Sequence, residues 1–169
     1  MRHTLVAGSL PANSCYRCKG VLVSLVAYRD WRERSGIADR PKSTPEPTTA
    51  VADTKDVLLC GKCRNVMTKF KVSVDADNRI DFCLSCDEVW LDSGEWELIE
   101  ALVGSGKLSN ITTQPWQYRV MEDSVERMEL VRLMEDFGEN FDKVVELGKI
   151  LDGHPARLEI LAYLSSKSR

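Results

Sequence analysis

The stretch CGKCRNVMTKFKVSVDADNRIDFCLSC, residues 60–86, decides the fold of the central part of the chain. It begins and ends with two cysteines separated by two residues, and nineteen residues lie between the pairs. Zinc prefers four tetrahedral ligands, and thiolates are good ones. Two residues between cysteines let one tight turn, here called a knuckle, present both sulfurs to one ion. The spacing predicts one structural zinc ion with four thiolate ligands: Cys60, Cys63, Cys83 and Cys86.

The residues between the two knuckles predict a β-hairpin. Apolar residues alternate from Met67 onward, which places Phe70, Val72 and Val74 on one face. Residues 75–78, DADN, are typical of a turn. The alternative is a redox dithiol, but that needs a cysteine pair beside a βαβ unit, which the sequence does not contain. We therefore predict a small α+β fold, a zinc ribbon made of a hairpin, two knuckles and a short helix.

The run WLDSGEWE, residues 90–97, follows the second knuckle. Asp92 or Ser93 can N-cap a helix that starts there, and Glu95 stands three residues after Asp92, as in a capping box. Tryptophans in this run are expected to cover the hairpin, because so small a unit has little other core. Together with Trp116, which lies further along the chain, Trp90 and Trp96 also form a candidate interaction surface.

The composition narrows the function classes. The net charge is −3 and the pI is near 5.5, whereas nucleic-acid binding usually needs a basic patch. No apolar run approaches the ~20 residues of a membrane span. The first residues lack the apolar core of a secretion signal, so we expect a cytoplasmic protein with reduced thiols. Reduced thiols favour a metal over disulfides.

The CGKC knuckle and IDFCLSCDEVWLDSGEWELI together resemble the bacterial TFIIB-type zinc-ribbon family. The hallmark of that family is two C-x2-C knuckles followed by Trp-Leu-Asp-x-Gly-Glu, which residues 90–95 match. One departure falls at Asp87 and Glu88, where the family usually has glycine; the four ligands are unaffected. The resemblance implies a zinc ribbon, and the family name does not by itself establish a role in transcription.

The segment LPANSCYRCKGVLVSLVAYRDW, residues 10–31, resembles the second half of a preceding ribbon of the same kind. Cys15 and Cys18 match its closing knuckle. The opening knuckle is not in the sequence, either because it has been lost or because translation starts upstream. The two cysteines are therefore a candidate second, incomplete zinc site, for which His3 is a candidate third ligand.

Five segments are predicted along the chain. Prolines and polar residues indicate a flexible linker after the first segment, and the last segment has apolar residues at helical spacing. Gly138 and Gly153 are expected to end its first two helices, and Pro155 to open the third. The segments are a half-ribbon at 1–34, a linker at 35–56, a complete ribbon at 57–104, a connector at 105–117 and three helices at 118–169.

The expected function is that of a zinc-binding, non-catalytic adaptor or regulatory protein, which binds other proteins through its zinc ribbon and its helical tail. The identity of the protein partner is not indicated, and no membrane partner is expected. The alternative is a nucleic-acid-binding or transcription-associated protein, favoured by an excess of Arg and Lys in residues 1–34. An enzyme would need an open metal position, which only the incomplete pair offers. We also expect residues 57–104 to lose their structure without zinc, which would expose Trp90 and Trp96.

Overall fold

Antiparallel strands from both cysteine-containing segments form a single six-stranded sheet in the computed structural model, which describes residues 1–36, 51 and 53–167. The order across this sheet is β1-β2-β3-β6-β5-β4. The strands are β1 (Arg2–Val6), β2 (Leu10–Ser14), β3 (Val21–Ser24), β4 (Thr68–Ser73), β5 (Ala76–Cys83) and β6 (Glu88–Leu91).

Helices follow the third and the sixth strand and make up the C-terminal part. The chain divides into two compact units, Met1–Ser124 and Val125–Arg169, and the sheet belongs to the first. The described helices are α1 (Leu25–Ser35), α2 (Glu95–Leu102), α3 (Leu108–Ile111), α4 (Gln114–Phe137), α5 (Phe141–Leu151) and α6 (Arg157–Ser166). Most of the predicted linker, residues 37–50 and 52, lies outside the described residues.

The first unit contains the same succession of elements twice. A hairpin leads into a knuckle, a short strand and a helix, first as β1, β2, β3 and α1, and again as β4, β5, β6 and α2. The hairpin predicted between the two central knuckles is confirmed, because β4 pairs antiparallel with β5. The two repeats meet where β3 pairs antiparallel with β6, with Val21 opposite Leu91 and Ser24 opposite Glu88.

The main hydrophobic core draws on both repeats. Leu10, Val23 and Tyr28 from the first pack in one cluster with residues of the second, such as Ile80 and Trp96. Burial of apolar surface contributes about 25 cal/mol per Å², so pooling two small faces gives a core that neither repeat has alone. The combined sheet therefore has a source of stability that does not depend on the cysteines.

Polar groups also hold α1 against the rest of the first unit. The Tyr28 hydroxyl donates to the Ser105 carbonyl at 2.7 Å and accepts from the Leu108 amide at 3.1 Å. The Trp31 indole donates to the Ser9 hydroxyl at 2.9 Å. Because buried polar groups are costly when they have no partner, these bonds fix the position of the helix on the sheet.

The outer edge of β4 is covered by the start of α4. The Gln117 amide accepts from the Lys71 backbone N–H at 3.1 Å and donates to the Lys71 carbonyl at 2.9 Å. The Trp116 indole donates to the Val72 carbonyl at 3.1 Å. These side chains occupy backbone groups that an edge strand otherwise leaves free to pair with another chain.

Two predicted helix starts differ from those in the structure. The N-cap of α2 is Gly94, with φ of 89°, and not Asp92 or Ser93. The Asp92 carboxylate does not cap the helix because it accepts from the Thr54 N–H at 2.6 Å and from the Trp90 indole at 2.9 Å. The Glu95 half of the expected capping box is formed, since Glu95 accepts from the Asp92 backbone N–H at 2.8 Å. In the C-terminal unit, α6 begins at Arg157 and not at Pro155. Gly138 directly follows α4, as expected.

No helix within the described residues is long and apolar enough to cross a membrane.

Gly20 is required at the junction of the repeats. A Cβ atom at this position would lie 2.3 Å from Cζ2 of Trp90 and 3.0 Å from the Leu91 carbonyl oxygen. We expect Gly20→Ala to lower the free energy of unfolding by about 1–3 kcal/mol, the usual cost of overpacking. Urea denaturation of the zinc-loaded protein measures this.

Gly61→Ala is the matched control for Gly20→Ala. The nearest atom to a Cβ at Gly61 is the end of the Met1 side chain at 3.5 Å, an ordinary contact. The control should change the urea midpoint little. Equal midpoints for the parent and the Gly20→Ala variant would show that the Trp90 ring moves aside without cost.

Candidate metal centre

Four cysteines come together on the second repeat. Their sulfur atoms all lie within 4.8 Å of one another, and those of Cys63 and Cys83 are 3.5 Å apart. Sulfurs around a tetrahedral zinc ion, each about 2.3 Å from the metal, are about 3.8 Å apart. The cluster, Cys60, Cys63, Cys83 and Cys86, is therefore close enough to hold a metal ion.

Each central knuckle is closed by its own backbone. The Arg64 amide donates to the Cys60 carbonyl at 3.0 Å, and the Asp87 amide donates to the Cys83 carbonyl at 3.0 Å. Arg64 and Asp87, which directly follow the second cysteine of each pair, have positive φ values of 64° and 57°. Glycine adopts this region most easily. Aspartate, the residue at position 87, is among the non-glycine residues that tolerate the region best.

Contacts between the two knuckles fix them against each other. The Lys62 ammonium forms an ion pair with the buried Glu88 carboxylate, and the Asn65 amide donates to the Ser85 hydroxyl at 3.0 Å. The Lys62 backbone N–H also points at the Cys60 sulfur, 3.4 Å away. A backbone donor of this kind stabilises the thiolate form of Cys60, which is the form that binds a cation.

The four thiols do not ionise equally in the absence of a cation. Burial raises the pKa of Cys60, but backbone donors of Cys63 and Lys62 outweigh it and bring that pKa down to about 7. Hydrogen bonding to Cys63 and burial raise the pKa of Cys86 to about 12. One thiolate therefore forms readily and discourages the next. A bound metal ion reverses this and releases the remaining protons.

Cys15 and Cys18 lie outside this cluster. They precede β3, whereas Cys83 and Cys86 precede β6, and the two strands run antiparallel. The knuckles are therefore at opposite ends of the strand pair. His3 is exposed and lies opposite Asn13 in the β1–β2 pairing. Within the described chain, no group of three or more metal-binding side chains contains His3, Cys15 or Cys18.

The three tryptophans of the candidate interaction surface have internal roles. Trp96 is 4% exposed and lies edge-on to Trp31, with ring centroids 5.8 Å apart, so it is part of the core. Trp90 is half-buried against the cysteine cluster and donates to Asp92 at 2.9 Å. Trp116 binds the β4 edge. We therefore do not propose Trp96 as part of a surface that contacts partners.

A second group of carboxylates, Asp53, Asp92 and Glu95, has oxygen atoms within 4.8 Å of one another. Donor groups of the protein already form hydrogen bonds and an ion pair with these carboxylates. Asp92 accepts from the Thr54 backbone N–H at 2.6 Å, and Asp53 accepts from the Arg79 N–H at 3.3 Å. Lys55 also pairs with Asp53 at 2.8 Å. These bonds attach the segment before the first central knuckle to the sheet. The carboxylate of Asp92, in the run WLDSGEWE, therefore has a structural role.

Two features of the site were not predicted from the sequence: the ion pair of Lys62 with Glu88, and the hydrogen bond that Asp53 accepts from the Arg79 N–H. A charge change between the knuckles was visible, since CGKCR is basic and CDE is acidic. That contrast indicates electrostatic attraction between the two central knuckles. Asp53 lay within the predicted linker and had no local signal. Its position depends on contacts made across 26 residues, with Arg79.

Comparison of the sequence with models of known families, with curated proteins and with solved structures gives no match.

Removing the metal ion should loosen one part of the first unit and not the whole. The ligands belong to a small cluster with Leu22 and Met67, while Trp96 lies in the larger core. The sequence led us to expect that both Trp90 and Trp96 become exposed without zinc. The structure leads us to expect exposure of Trp90 only. We expect a strong chelator to shift tryptophan emission to longer wavelength in the parent and in Trp96→Phe, and much less in Trp90→Phe.

Cys83→Ser removes one of the four proposed ligands. This variant should show the same shift of tryptophan emission to longer wavelength without any chelator. An unchanged emission maximum in both the chelated parent and Cys83→Ser would show that no metal supports the cluster. A full shift in Trp90→Phe would show instead that the larger core also collapses.

The buried Glu95 should make stability depend on pH. Burial raises its pKa from 4.5 to about 8, although the Asp92 N–H and Asn78 amide partly oppose the shift. The folded state therefore keeps a proton that the unfolded state loses, and stability falls as pH rises from about 4.5 to about 8. One pKa unit corresponds to about 1.4 kcal/mol, so the loss is on the order of a few kcal/mol.

Glu95→Gln should remove this dependence, because glutamine has the same shape and no charge. Denaturation midpoints of the zinc-loaded protein at pH 6 and pH 8.5 measure the effect, with Glu97→Gln as control, since Glu97 is exposed. Parallel pH profiles for the parent and Glu95→Gln would contradict the prediction.

Proposed function

We propose that this chain is a zinc-binding, non-catalytic adaptor of the TFIIB-type zinc-ribbon kind, which binds another protein through its C-terminal helices. The observation that carries the proposal is the cluster of four cysteine sulfurs. Four thiolates without histidine or carboxylate are the donor set of structural zinc sites. The antiparallel hairpin between the two knuckles, and the backbone hydrogen bonds that close each knuckle, support the proposal of a zinc ribbon.

The arrangement of the cluster supports a structural and not a catalytic ion. Catalytic zinc sites keep one position for water or substrate, whereas here four thiolates fill the tetrahedron. Cys60 and Cys83 are buried, and Cys63 and Cys86 are half-buried. Lys62 lies between two of the cysteines in the sequence and Glu88 follows the second knuckle, and these two charged groups pair with each other.

The C-terminal unit supports the part of the proposal that concerns a protein partner. From residue 125 to residue 167, Leu151 is the one described residue that is buried. Large apolar side chains are exposed on each helix, including Met128 at 65%, Ile150 at 62% and Leu158 at 80%. Helices of this kind gain most of their stability from packing, and apolar surface of this extent marks an interaction site.

Nucleic-acid binding is the alternative, and charge pairing argues against it. The basic residues that favoured it are partly neutralised: Arg29 pairs with Asp87 at 3.3 Å, and Arg34 pairs with Asp30 at 2.6 Å. Phosphate contacts need free cations, and each contact increases the dependence of binding on salt. Affinity for DNA or RNA that falls steeply with salt would favour this alternative over the adaptor.

Substitution on α4 tests the adaptor proposal. Met128 and Val131 are both exposed on this helix, and a charge at either position would oppose an apolar contact. We expect the double variant Met128→Asp, Val131→Asp to reduce recovery of the partner at least about tenfold, since each 1.4 kcal/mol lost is a factor of ten. The measurement is quantitative mass spectrometry after crosslinking in cells, with the full chain as bait.

Glu129→Gln is the control on the same helix, because Glu129 is exposed and its change adds no charge to an apolar face. Far-UV circular dichroism should show the same helix content in the parent and both variants. If the same proteins are recovered in equal amounts with the parent and the double variant, these helices do not bind the partner.

A further inference from the structure

The knuckle of Cys15 and Cys18 has the same backbone form as the two knuckles of the metal centre. The Lys19 amide donates to the Cys15 carbonyl at 3.0 Å, the distance found at the other two knuckles. Lys19 has φ of 64°, as Arg64 does. The Cys15 amide donates to the Gly20 carbonyl at 2.8 Å, as the Cys60 amide does to Asn65. This geometry, which presents two sulfurs together, is therefore already formed.

The pair is accessible and lacks two ligands. Cys15 is half-buried and Cys18 is exposed. The chain has six cysteines, and the other four belong to the central cluster. A tetrahedral ion at Cys15 and Cys18 needs two more ligands, and no other metal-binding side chain of the described residues joins the pair in a candidate site.

The position of the pair allows it to bind an ion independently of the central cluster. Val21 pairs with Leu91 and Ser24 with Glu88, so the two knuckles lie at opposite ends of the β3–β6 pair. Three residue steps along a strand amount to about 10 Å. A metal ion at one end does not compete with an ion at the other, and access to Cys18 is not blocked by the central knuckles.

The charge around the pair suits a site with four thiolates. Four thiolates and one zinc ion carry a net charge of −2. The knuckle contains Arg17 and Lys19, and Lys19 lines a pocket that also contains Asp92 and Glu97. Two copies of this knuckle would bring four cations to one site, which offsets the negative charge and the repulsion between the copies.

We propose that Cys15 and Cys18 from two copies of this chain bind one zinc ion between them. A two-fold axis through the ion makes the contact the same on both copies, and such an interface closes as a dimer. Tyr16, which lies between the cysteines and is 66% exposed, then faces the other copy. Each thiol loses its proton to solvent when zinc binds, and no oxidation or reduction takes place.

The zinc content of the full chain tests this directly. Protein reduced under anaerobic conditions is stripped with a chelator, reloaded with zinc alone and freed of excess metal. We expect three zinc ions per two chains, one in each central cluster and one shared. Light scattering should give about twice the mass of the 19.1 kDa chain.

Two substitutions of the exposed cysteine sharpen the test. Cys18→Ser should reduce the content to two zinc ions per two chains, whereas Cys18→His, which supplies another zinc ligand, should keep three. Tryptophan emission confirms that all three proteins are folded. Less than one zinc ion per chain in Cys18→Ser would indicate failure of the central site and not of the shared one.

Two zinc ions per two chains in the parent would overturn the proposal, since the pair would then hold none. Four per two chains would also overturn it, because each copy would complete its own second site. If the helices alone make every variant dimeric, the loss of one ion per two chains in Cys18→Ser, with retention in Cys18→His, still supports the shared site.

Discussion

The first compact unit depends on the pairing of β3 with β6. This contact joins two similar sets of elements, each too small to form an adequate core, into one sheet with a common interior. It has a strict steric condition, because the Trp90 ring occupies the place where any side chain at residue 20 would begin. Close packing at this junction therefore requires glycine at position 20.

Stability in this unit has two sources with different chemistry. The shared core, which includes Tyr28, Trp31 and Trp96, is held by apolar contact and buried hydrogen bonds. The cysteine cluster packs with few apolar neighbours and concentrates thiols whose ionisation is mutually unfavourable. A cation bound by the cysteines would offset this repulsion, and we expect it to leave the shared core largely unaffected. The shared core gives the sheet a source of stability that does not depend on the cysteine cluster.

The local features could be predicted from the sequence, and the long-range ones could not. Cysteine spacing predicted the cluster, and alternation after Met67 predicted the hairpin, because both depend on neighbours along the chain. The union of the repeats depends on the register of Val21 with Leu91, seventy residues away, which no local pattern specifies. The start of α2 was missed because the Asp92 carboxylate accepts from the Trp90 indole and from the Thr54 N–H, and Thr54 is 38 residues away along the chain.

The Gln117 amide blocks one edge of the sheet, so a further strand could pair only at the other edge. By bonding both backbone groups of Lys71, it leaves β4 unable to accept a further strand at that place. The outer edge of β1 has no strand beside it within the described residues. A sheet that can be extended at one edge only is self-limiting: two copies that add edge to edge use up both open edges. Strand addition would then stop at a pair and could not continue into a fibre.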